Sequence, residues 1–403
     1  YSSTVLASNE TRAEIEEMSE RNVRWVSLVV TWKQEHLFSS TIYPDSSETA
    51  TMESTREAIA ELHARNISVL LKPHVDVDSG LPRSLILPKN TTEWFQSYSA
   101  MLLDYAAVAE QLQVEALCIG TELSLLSLLY PEQWEAVIAD VRAAYSGSLT
   151  YAAIFFVEYR HVQFWQALDW VGIDAYWSLE PFLAGRDEHG ATATWDATRP
   201  ELLHLLASAE PLNGVAAVRV SHLLLLAAVD GVGVSEMESL VGQAVPLLQV
   251  LGPVTRLQLE EYGIGEDYVP PTLCQMAERW QGHMQSLRRW REGPGTGGGM
   301  PVVFTEVGYV SDMYCAVFPV SYPRGECGSG PLSAPYNTTQ RQAYEALFSA
   351  VASNADMLEG FFLWWWDNPS TSDYYPTGQQ WPCYYTPRGK PALAAMSRAM
   401  AMP

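Results

Sequence analysis

Two glutamates stand where apolar stretches of the sequence give way to predicted loops. Glu122 follows CIGT (118–121), and Glu306 lies within FTEVGY (304–309). A pair of carboxyl groups that flanks a glycosidic bond can hydrolyse it. One group stays protonated and donates to the leaving oxygen, while the other is ionised and attacks the anomeric carbon or activates water. The two environments must therefore push the two pKa values apart. Each glutamate alone fits a structural carboxylate equally well, and the pair favours the catalytic interpretation.

A second group of polar side chains occurs on one predicted strand, LLKPHVD (70–76). Because side chains alternate along a strand, Lys72, His74 and Asp76 share one face. Buried polar groups are costly unless they are paired or line a wet cleft, so we expect a cleft, with an interior ion pair as the alternative. A metal site made by His74, Asp76 and Asp78 is a weaker interpretation, since no second His cluster or Cys pair accompanies them.

Aromatic side chains at other strand ends extend the predicted cleft. Tyr176 is expected to orient Glu306 and to hold it ionised. Trp364 and Trp366 share one face of the last strand and predict a stacking surface for a sugar, whereas Trp365 is expected to pack against helices. The substrate-binding candidates are Trp32, Lys72, His74, Asp76, Asp174, Tyr176, Trp364 and Trp366.

Composition restricts the partners of the chain. Forty-seven acidic against 24 basic residues give a net charge of −23 among 403 residues, which repels nucleic acid and anionic membranes. No apolar window reaches the roughly 18 residues that a membrane span needs. Fourteen Trp and 20 Tyr suit a neutral oligosaccharide or polysaccharide, although a large aromatic core is the simpler reading. The predicted chemistry requires no cofactor and no metal.

Short apolar strands alternate with amphipathic helices, which predicts an α/β fold with a parallel sheet. Near-continuous apolar runs are typical of strands that are covered on both faces. We assign these strands as the second to eighth of a TIM (β/α)₈ barrel, whose catalytic residues lie at the carboxyl ends of the strands. The predicted strands are Trp25–Trp32, Val69–Asp76, Glu115–Glu122, Leu149–Phe155, Trp170–Trp177, Pro301–Tyr309 and Gly360–Asp367.

Two irregularities interrupt the barrel pattern. The first barrel strand is either Ser3–Ala7 or a segment that precedes Tyr1, and we favour the second, so that the first strand is missing from this chain. Residues 180–300, between the sixth and seventh barrel strands, are too long for a usual crossover and predict a helical insertion. The expected organisation is therefore barrel (1–179), helical insertion (180–300) and barrel (301–403), with the insertion available to a protein partner.

Cysteines and glycosylation sequons bear on the compartment. Cys315 and Cys327 flank one loop and form a disulfide candidate. Asn9, Asn66, Asn90 and Asn337 each precede Ser or Thr by two residues and are glycosylation candidates. No signal peptide begins at Tyr1, so a signal would lie outside this chain. The sequons favour an extracellular or secretory location.

At these residues the sequence resembles glycoside hydrolase family 113. The matching segments are WVSLVVTW (25–32), LLKPHVDV (70–77), CIGTELSLL (118–126), WVGIDAYW (170–177), VVFTEVGY (302–309) and YTPRGKPA (385–392). The resemblance implies a TIM barrel and retaining hydrolysis of β-1,4-linked mannan or manno-oligosaccharides. It further implies that Glu122 is the acid/base and Glu306 the nucleophile, and that the substrate-binding candidates line the subsite of the cleaved sugar. The alternative from another class is a non-catalytic carbohydrate-binding or structural glycoprotein on the same barrel.

Overall fold

The computed structural model places seven parallel strands in one curled sheet, in the order of the sequence. The strands are β1 (Trp25–Gln34), β2 (Ser68–Val77), β3 (Ala116–Thr121), β4 (Ser148–Ile154), β5 (Val171–Asp174), β6 (Val302–Val307) and β7 (Leu358–Leu363). The structure describes residues 3–181, 195–207, 214–248, 268–293, 299–311, 314–317, 319, 334–366, 385–388 and 390–400. The predicted α/β barrel architecture is thus confirmed.

The central strands form because most of their residues are apolar on both faces. β3, β4, β5 and β6 are buried almost throughout, and β3 reads Ala-Leu-Cys-Ile-Gly-Thr with every residue buried. The backbone N–H and C=O groups of such a run form hydrogen bonds in the sheet, and its side chains pack in the barrel core or against the helical layer. Two strands end three or four residues earlier than predicted: β5 stops at Asp174 and β7 at Leu363. The polar and aromatic residues that follow are therefore loop residues.

Helices cover the outside of the sheet. Most described amino-terminal caps are the expected hydroxyl or amide side chains, for example Ser8, Thr51 and Asn90, each of which accepts a backbone N–H of the first turn. The helices are α1 (Asn9–Glu20), α2 (Met52–His63), α3 (Thr91–Leu112), α4 (Ser124–Leu129), α5 (Pro131–Ala144), α6 (Trp195–Leu206), α7 (Gly214–Val229), α8 (Val234–Leu248), α9 (Leu273–Arg291), α10 (Ala334–Ser353) and α11 (Pro391–Met400).

The connection between β5 and β6 contains helices α6 to α9. Trp280 of α9 is fully buried and stacks on Phe304 of β6, with ring centroids 5.8 Å apart. His283 of the same helix contacts the Ser178 carbonyl at 2.9 Å. The last helix of the connection thus packs on the barrel itself. The boundaries of the insertion at 180 and 300, and a protein partner for it, stay predictions.

Residues 3–7, the described part of the amino-terminal segment, do not pair with the sheet. Val5–Ala7 form a 3₁₀ helix, so the alternative that Ser3–Ala7 is a barrel strand is wrong. Thr51 N–H donates to the Ser3 carbonyl at 2.8 Å, which holds the segment against the start of α2. Among the described strands, β1 pairs only with β2, and β7 only with β6, while Lys33 of β1 also forms an isolated antiparallel bridge with Tyr43.

The structure shows how exposed the predicted glycosylation sites and one cysteine of the disulfide candidate are. Asn9, Asn66 and Asn90 are exposed, but Asn337 is only 7% exposed within α10. A glycan has no room at a buried helical side chain, so Asn337 is wrong as a candidate. Cys315 is buried, and Cys327 lies outside the described residues, so the disulfide remains a prediction. Among the helices that the structure describes, none has the length and apolarity of a membrane span.

Candidate active site

The carboxyl ends of the strands open into a large cavity of about 1180 Å³ that also follows the facing edges of β1 and β7. This is the end of the barrel at which catalytic residues are expected. The cavity contains both predicted carboxylates together with candidate sugar-binding groups. Its lining includes His74, Arg83, Glu122, Glu306, Trp364 and Trp366. The structure therefore brings Glu122 and Glu306, which are far apart in sequence, to one site.

Glu306 is the better-anchored of the two carboxylates. It lies on β6 and is 8% exposed. Lys72 Nζ donates to Glu306 Oε1 at 2.6 Å, and Tyr176 Oη donates to Oε2 at 2.9 Å. Burial raises the pKa of the Tyr176 hydroxyl well above its usual range, so this group remains a donor. One cation and one hydroxyl thus orient Glu306, and Tyr176 contacts Glu306 as the sequence predicted.

Lys72 connects Glu306 to a second buried carboxylate. Its ammonium lies 3.2 Å from Asp174 Oδ1, and both side chains are fully buried. Burial lowers the pKa of Lys72, but the negative charges of Asp174 and Glu306 raise it by more than burial lowers it. The net shift is therefore upward, and Lys72 is a cation. Thr305 Oγ1 also donates to Asp174 Oδ1 at 2.7 Å. The interior ion pair and the cleft, which were alternatives from the sequence, are therefore parts of one network.

Replacement of Lys72 by methionine should lower the free energy of unfolding by about 3–5 kcal/mol, because it leaves two buried carboxylates without their cation. Urea unfolding followed by tryptophan fluorescence measures this loss. The matched variant Lys72→Met/Asp174→Asn removes one of the stranded charges and should recover part of the stability. Equal stability of Lys72→Met and the wild type would contradict the network described above.

Glu122 lies in a different environment from Glu306. It directly follows β3, and its backbone has φ of +52°, in the left-handed region that non-glycine residues rarely adopt. Its N–H donates to the Ala152 carbonyl at 2.8 Å, which ties this conformation to β4. Burial and the charges of Asp174 and Glu306 raise the pKa of Glu122 to about 8, while Arg83 and Lys72 act in the opposite direction. Glu122 is thus protonated at neutral pH.

His74 and Asp76 meet a cation that the sequence pattern did not reveal. Arg83 Nη1 lies 2.8 Å from His74 Nδ1, and Arg83 Nη2 donates to Asp76 Oδ1 at 2.6 Å. Arg83 belongs to a 3₁₀ helix, Arg83–Leu85, in the loop after β2. No strand-end position or periodicity marks it, so only the fold shows that it reaches the cavity.

The tryptophans after β7 form one wall of the cavity. The ring of Trp364 stacks on His74 with centroids 6.3 Å apart and an interplanar angle of 12°. Trp366 lies under the Arg388 guanidinium, 5.5 Å from the ring centroid. Trp365 lines the cavity as well and packs against Tyr385, rather than only against helices as predicted. The expected alternation fails because β7 ends at Leu363, before the first tryptophan.

Four predicted substrate-binding residues do not line the cavity: Lys72, Asp174 and Tyr176 lie behind Glu306, and Trp32 lies on the other side of the sheet. In the β1–β2 ladder Thr31 lies beside His74, and Trp32 lies beside Val75. Neighbouring positions in register point to the same side of the sheet, so Trp32 points away from His74. Its indole N–H donates to the Tyr105 hydroxyl on α3 at 3.1 Å. Trp32 therefore packs under the helical layer.

The weaker metal interpretation has no geometric support. Arg83 is hydrogen-bonded to both His74 and Asp76, and Asp78 accepts a hydrogen bond from Tyr43. Within the described residues, no group of three or more His, Cys, Asp or Glu side chains is arranged to hold a metal ion.

Comparison with solved structures supports the fold. A GH113 β-mannanase from Alicyclobacillus acidocaldarius, solved in complex with ManMIm, superposes with a TM-score of 0.64 over 98% of this chain and 92% of that chain, at 21% identity. A second GH113 β-1,4-mannanase, solved as a complex, gives a TM-score of 0.59 over 99% and 94%, at 18% identity. No curated protein matches the chain significantly.

The family model described as Glycoside Hydrolase Family 113 matches residues 3–207. This segment includes Lys72, His74, Glu122, Asp174 and Tyr176, and it ends before Glu306. It spans more than half of the 403 residues. The chain therefore belongs to glycoside hydrolase family 113 and is a glycoside hydrolase.

Proposed function

We propose that this glycoside hydrolase cleaves β-1,4-linked mannan or manno-oligosaccharides with retention of anomeric configuration. The observation that carries the mechanism is the contrast between the two carboxyl groups of one cavity. Both oxygens of Glu306 accept hydrogen bonds, from the Lys72 ammonium and the Tyr176 hydroxyl, whereas the raised pKa of Glu122 keeps that carboxyl group protonated. One group is thus prepared to attack, and the other to donate a proton.

The proposed reaction proceeds by double displacement. In the first step Glu306 attacks the anomeric carbon while Glu122 protonates the glycosidic oxygen. The carbon–oxygen bond to the leaving sugar breaks, and a glycosyl ester forms on Glu306. In the second step the Glu122 carboxylate takes a proton from water as the water oxygen attacks the anomeric carbon. This step releases Glu306 as a carboxylate, restores the proton on Glu122 and, after two inversions, returns the original configuration.

Mannan is proposed as the substrate because both GH113 structures compared above are described as β-mannanases. The cavity agrees with a neutral sugar substrate. Trp364 offers an aromatic wall, and the chain carries a net charge of −23, which disfavours anionic polysaccharides. Family membership as a glycoside hydrolase leaves no support for the alternative of a non-catalytic glycoprotein.

Hydrolysis of a panel of β-1,4-linked mannan, glucan and galactan oligosaccharides tests this proposal. We expect cleavage of the manno-oligosaccharides, with the β-anomer of the new reducing end appearing first in ¹H NMR spectra. Initial appearance of the α-anomer would exclude retention and would indicate that Glu306 activates water instead. Faster cleavage of glucan or galactan would show that mannan is not the preferred substrate, and the proposed mechanism would still apply.

The pH dependence of kcat/KM should have an alkaline limb near pH 8. Glu122 must be protonated to act as the acid, so activity is full below its pKa of about 8 and is lost as the pH rises through that value. Initial rates with mannotriose between pH 5 and pH 10 measure the limb. Glu122→Gln cannot titrate and should lose this limb from its residual activity. An unchanged alkaline limb in Glu122→Gln would assign the ionisation to another group.

A further inference from the structure

The imidazole of His74 is held in one tautomer by its neighbours. Arg83 Nη1 lies 2.8 Å from His74 Nδ1. A guanidinium group only donates hydrogen bonds, so Nδ1 must accept and cannot carry a proton. Nη2 of the same guanidinium donates a hydrogen bond to Asp76 Oδ1 at 2.6 Å, which fixes the orientation of Arg83. The proton of the neutral ring therefore resides on Nε2.

The opposite edge of the ring faces the reaction centre. His74 is 3% exposed, and its Nε2 has no hydrogen-bond partner among the described residues. Nε2 lies 3.8 Å from Glu306 Oε1, which is too far for a hydrogen bond. Stacking on Trp364 fixes the plane of the ring. A buried N–H donor without a partner costs free energy unless a ligand uses it, and this donor belongs to a cavity-lining residue and lies beside the Glu306 carboxylate.

The ring remains neutral in this environment. Burial lowers the pKa of His74 well below its usual range, and the cations Arg83 and Lys72 lower it further. A neutral imidazole with its proton on Nδ1 would instead turn the Nε2 lone pair toward the Glu306 carboxylate. That arrangement would repel both the carboxylate and any acceptor on the substrate. The tautomer that Arg83 imposes is the only neutral one that offers a donor at this point.

We infer that Arg83 is a positioning residue, which locks His74 so that its Nε2–H donates to the 2-hydroxyl of the sugar attacked by Glu306. This inference rests on the proposed retaining mechanism. The two ring atoms bonded to the anomeric carbon are the ring oxygen and C2, so the nearest sugar acceptors are the ring oxygen and the 2-hydroxyl. The ring oxygen gains positive charge in the oxocarbenium-like transition state and becomes a poor acceptor, whereas hydrogen bonds to the 2-hydroxyl strengthen there. His74 thus contacts substrate, and Arg83 acts through His74.

The tautomer is tested without any substrate. Long-range ¹H–¹⁵N spectra of the histidine rings distinguish a protonated from an unprotonated ring nitrogen, and His74→Phe identifies the signals of His74 among the eight histidines. We expect the Nε2–H tautomer in the wild type, a mixture of tautomers in Arg83→Met, and partial restoration in Arg83→Lys. Arg12→Met, which removes an exposed ion pair with Glu57, is the matched control and should leave the pattern unchanged. An Nδ1–H tautomer in the wild type overturns the inference, whether or not the protein cleaves mannan.

The contact with the 2-hydroxyl is tested by a cycle of two changes, one in the protein and one in the substrate. Aryl β-mannosides and their 2-deoxy analogues are compared in the wild type, His74→Phe and Arg83→Met. Removal of the hydroxyl should cost the wild type about tenfold more in kcat/KM than it costs either variant, since the variants have already lost the oriented donor. Equal costs in all three proteins would exclude the contact. Failure of the wild type to cleave any aryl β-mannoside would instead count against the proposed function, and the spectra would still decide the tautomer.

Discussion

Replacement of Glu306 by alanine should lower kcat/KM for manno-oligosaccharides by on the order of 10⁵-fold, the largest effect that we expect from a single substitution. The substitution removes the proposed nucleophile, so we expect that no glycosyl ester can form. Lys72 and Tyr176 lose the carboxylate that they position, but both remain in place around a small void. The defect should therefore be chemical, with intact substrate binding.

Azide separates loss of the nucleophile from loss of the fold. A small anion can enter the space left in Glu306→Ala and attack the anomeric carbon directly, from the face that Glu306 used. With a 2,4-dinitrophenyl β-mannoside we expect azide to restore turnover and to yield the α-mannosyl azide, detected by NMR. Glu16→Ala, at an exposed glutamate of α1, should behave as the wild type. Recovery of the β-mannosyl azide from Glu306→Ala would show that the nucleophile is still present and lies elsewhere.

Replacement of Glu122 by alanine should lower kcat/KM for the same oligosaccharides by about 10³-fold, within the range of general acid catalysis. The loss should depend on the leaving group. A sugar alcohol cannot leave without a proton, whereas 2,4-dinitrophenolate can, so the first step with the activated mannoside should be nearly unaffected. Hydrolysis of the glycosyl ester also needs Glu122 as a base. The ester should therefore accumulate and be visible as a burst of dinitrophenol and as an increase in protein mass.

The product of azide rescue again identifies the role. In Glu122→Ala, azide attacks the ester on Glu306 from the opposite face and should give the β-mannosyl azide. Azide should therefore give mannosyl azides of opposite anomeric configuration with the two glutamate variants. If Glu122→Ala slows the activated mannoside and the oligosaccharide equally, Glu122 has a structural role, and the acid must be another group of the cavity.

The barrel was predictable because its strands carry an unusually strong signal. Runs such as Ala116–Thr121, which has no charged residue and is buried at every position, are typical of a strand covered on both faces. The ends of β5 and β7 were less predictable. Apolar and aromatic residues continue past Asp174 and past Leu363, but the ladder stops there, because backbone pairing depends on the neighbouring strand as well as on side-chain type.

The candidate site was predictable where it follows strand periodicity. Lys72 and His74 were placed together by their alternation, and their contacts with Glu306 and Arg83 follow from that shared face. Arg83 itself was missed, since a loop residue has no period by which to recognise it. Trp32 was placed wrongly for a related reason. Its side depends on the register between β1 and β2, in which Trp32 lies beside Val75, and one sequence does not contain that register.

The left-handed backbone of Glu122 lowers the stability of the fold at the candidate active site. A non-glycine residue at φ of +52° and a partly buried carboxyl group with a raised pKa each cost free energy, and a hydrogen bond to Ala152 of β4 holds the backbone in place. Glycine adopts this conformation without steric cost and carries no carboxyl group, so Glu122→Gly should raise the melting temperature of an inactive protein. A library of variants selected for thermal stability alone would therefore discard the glutamate that we propose as the acid/base. Its presence is evidence of selection for chemistry rather than for folding.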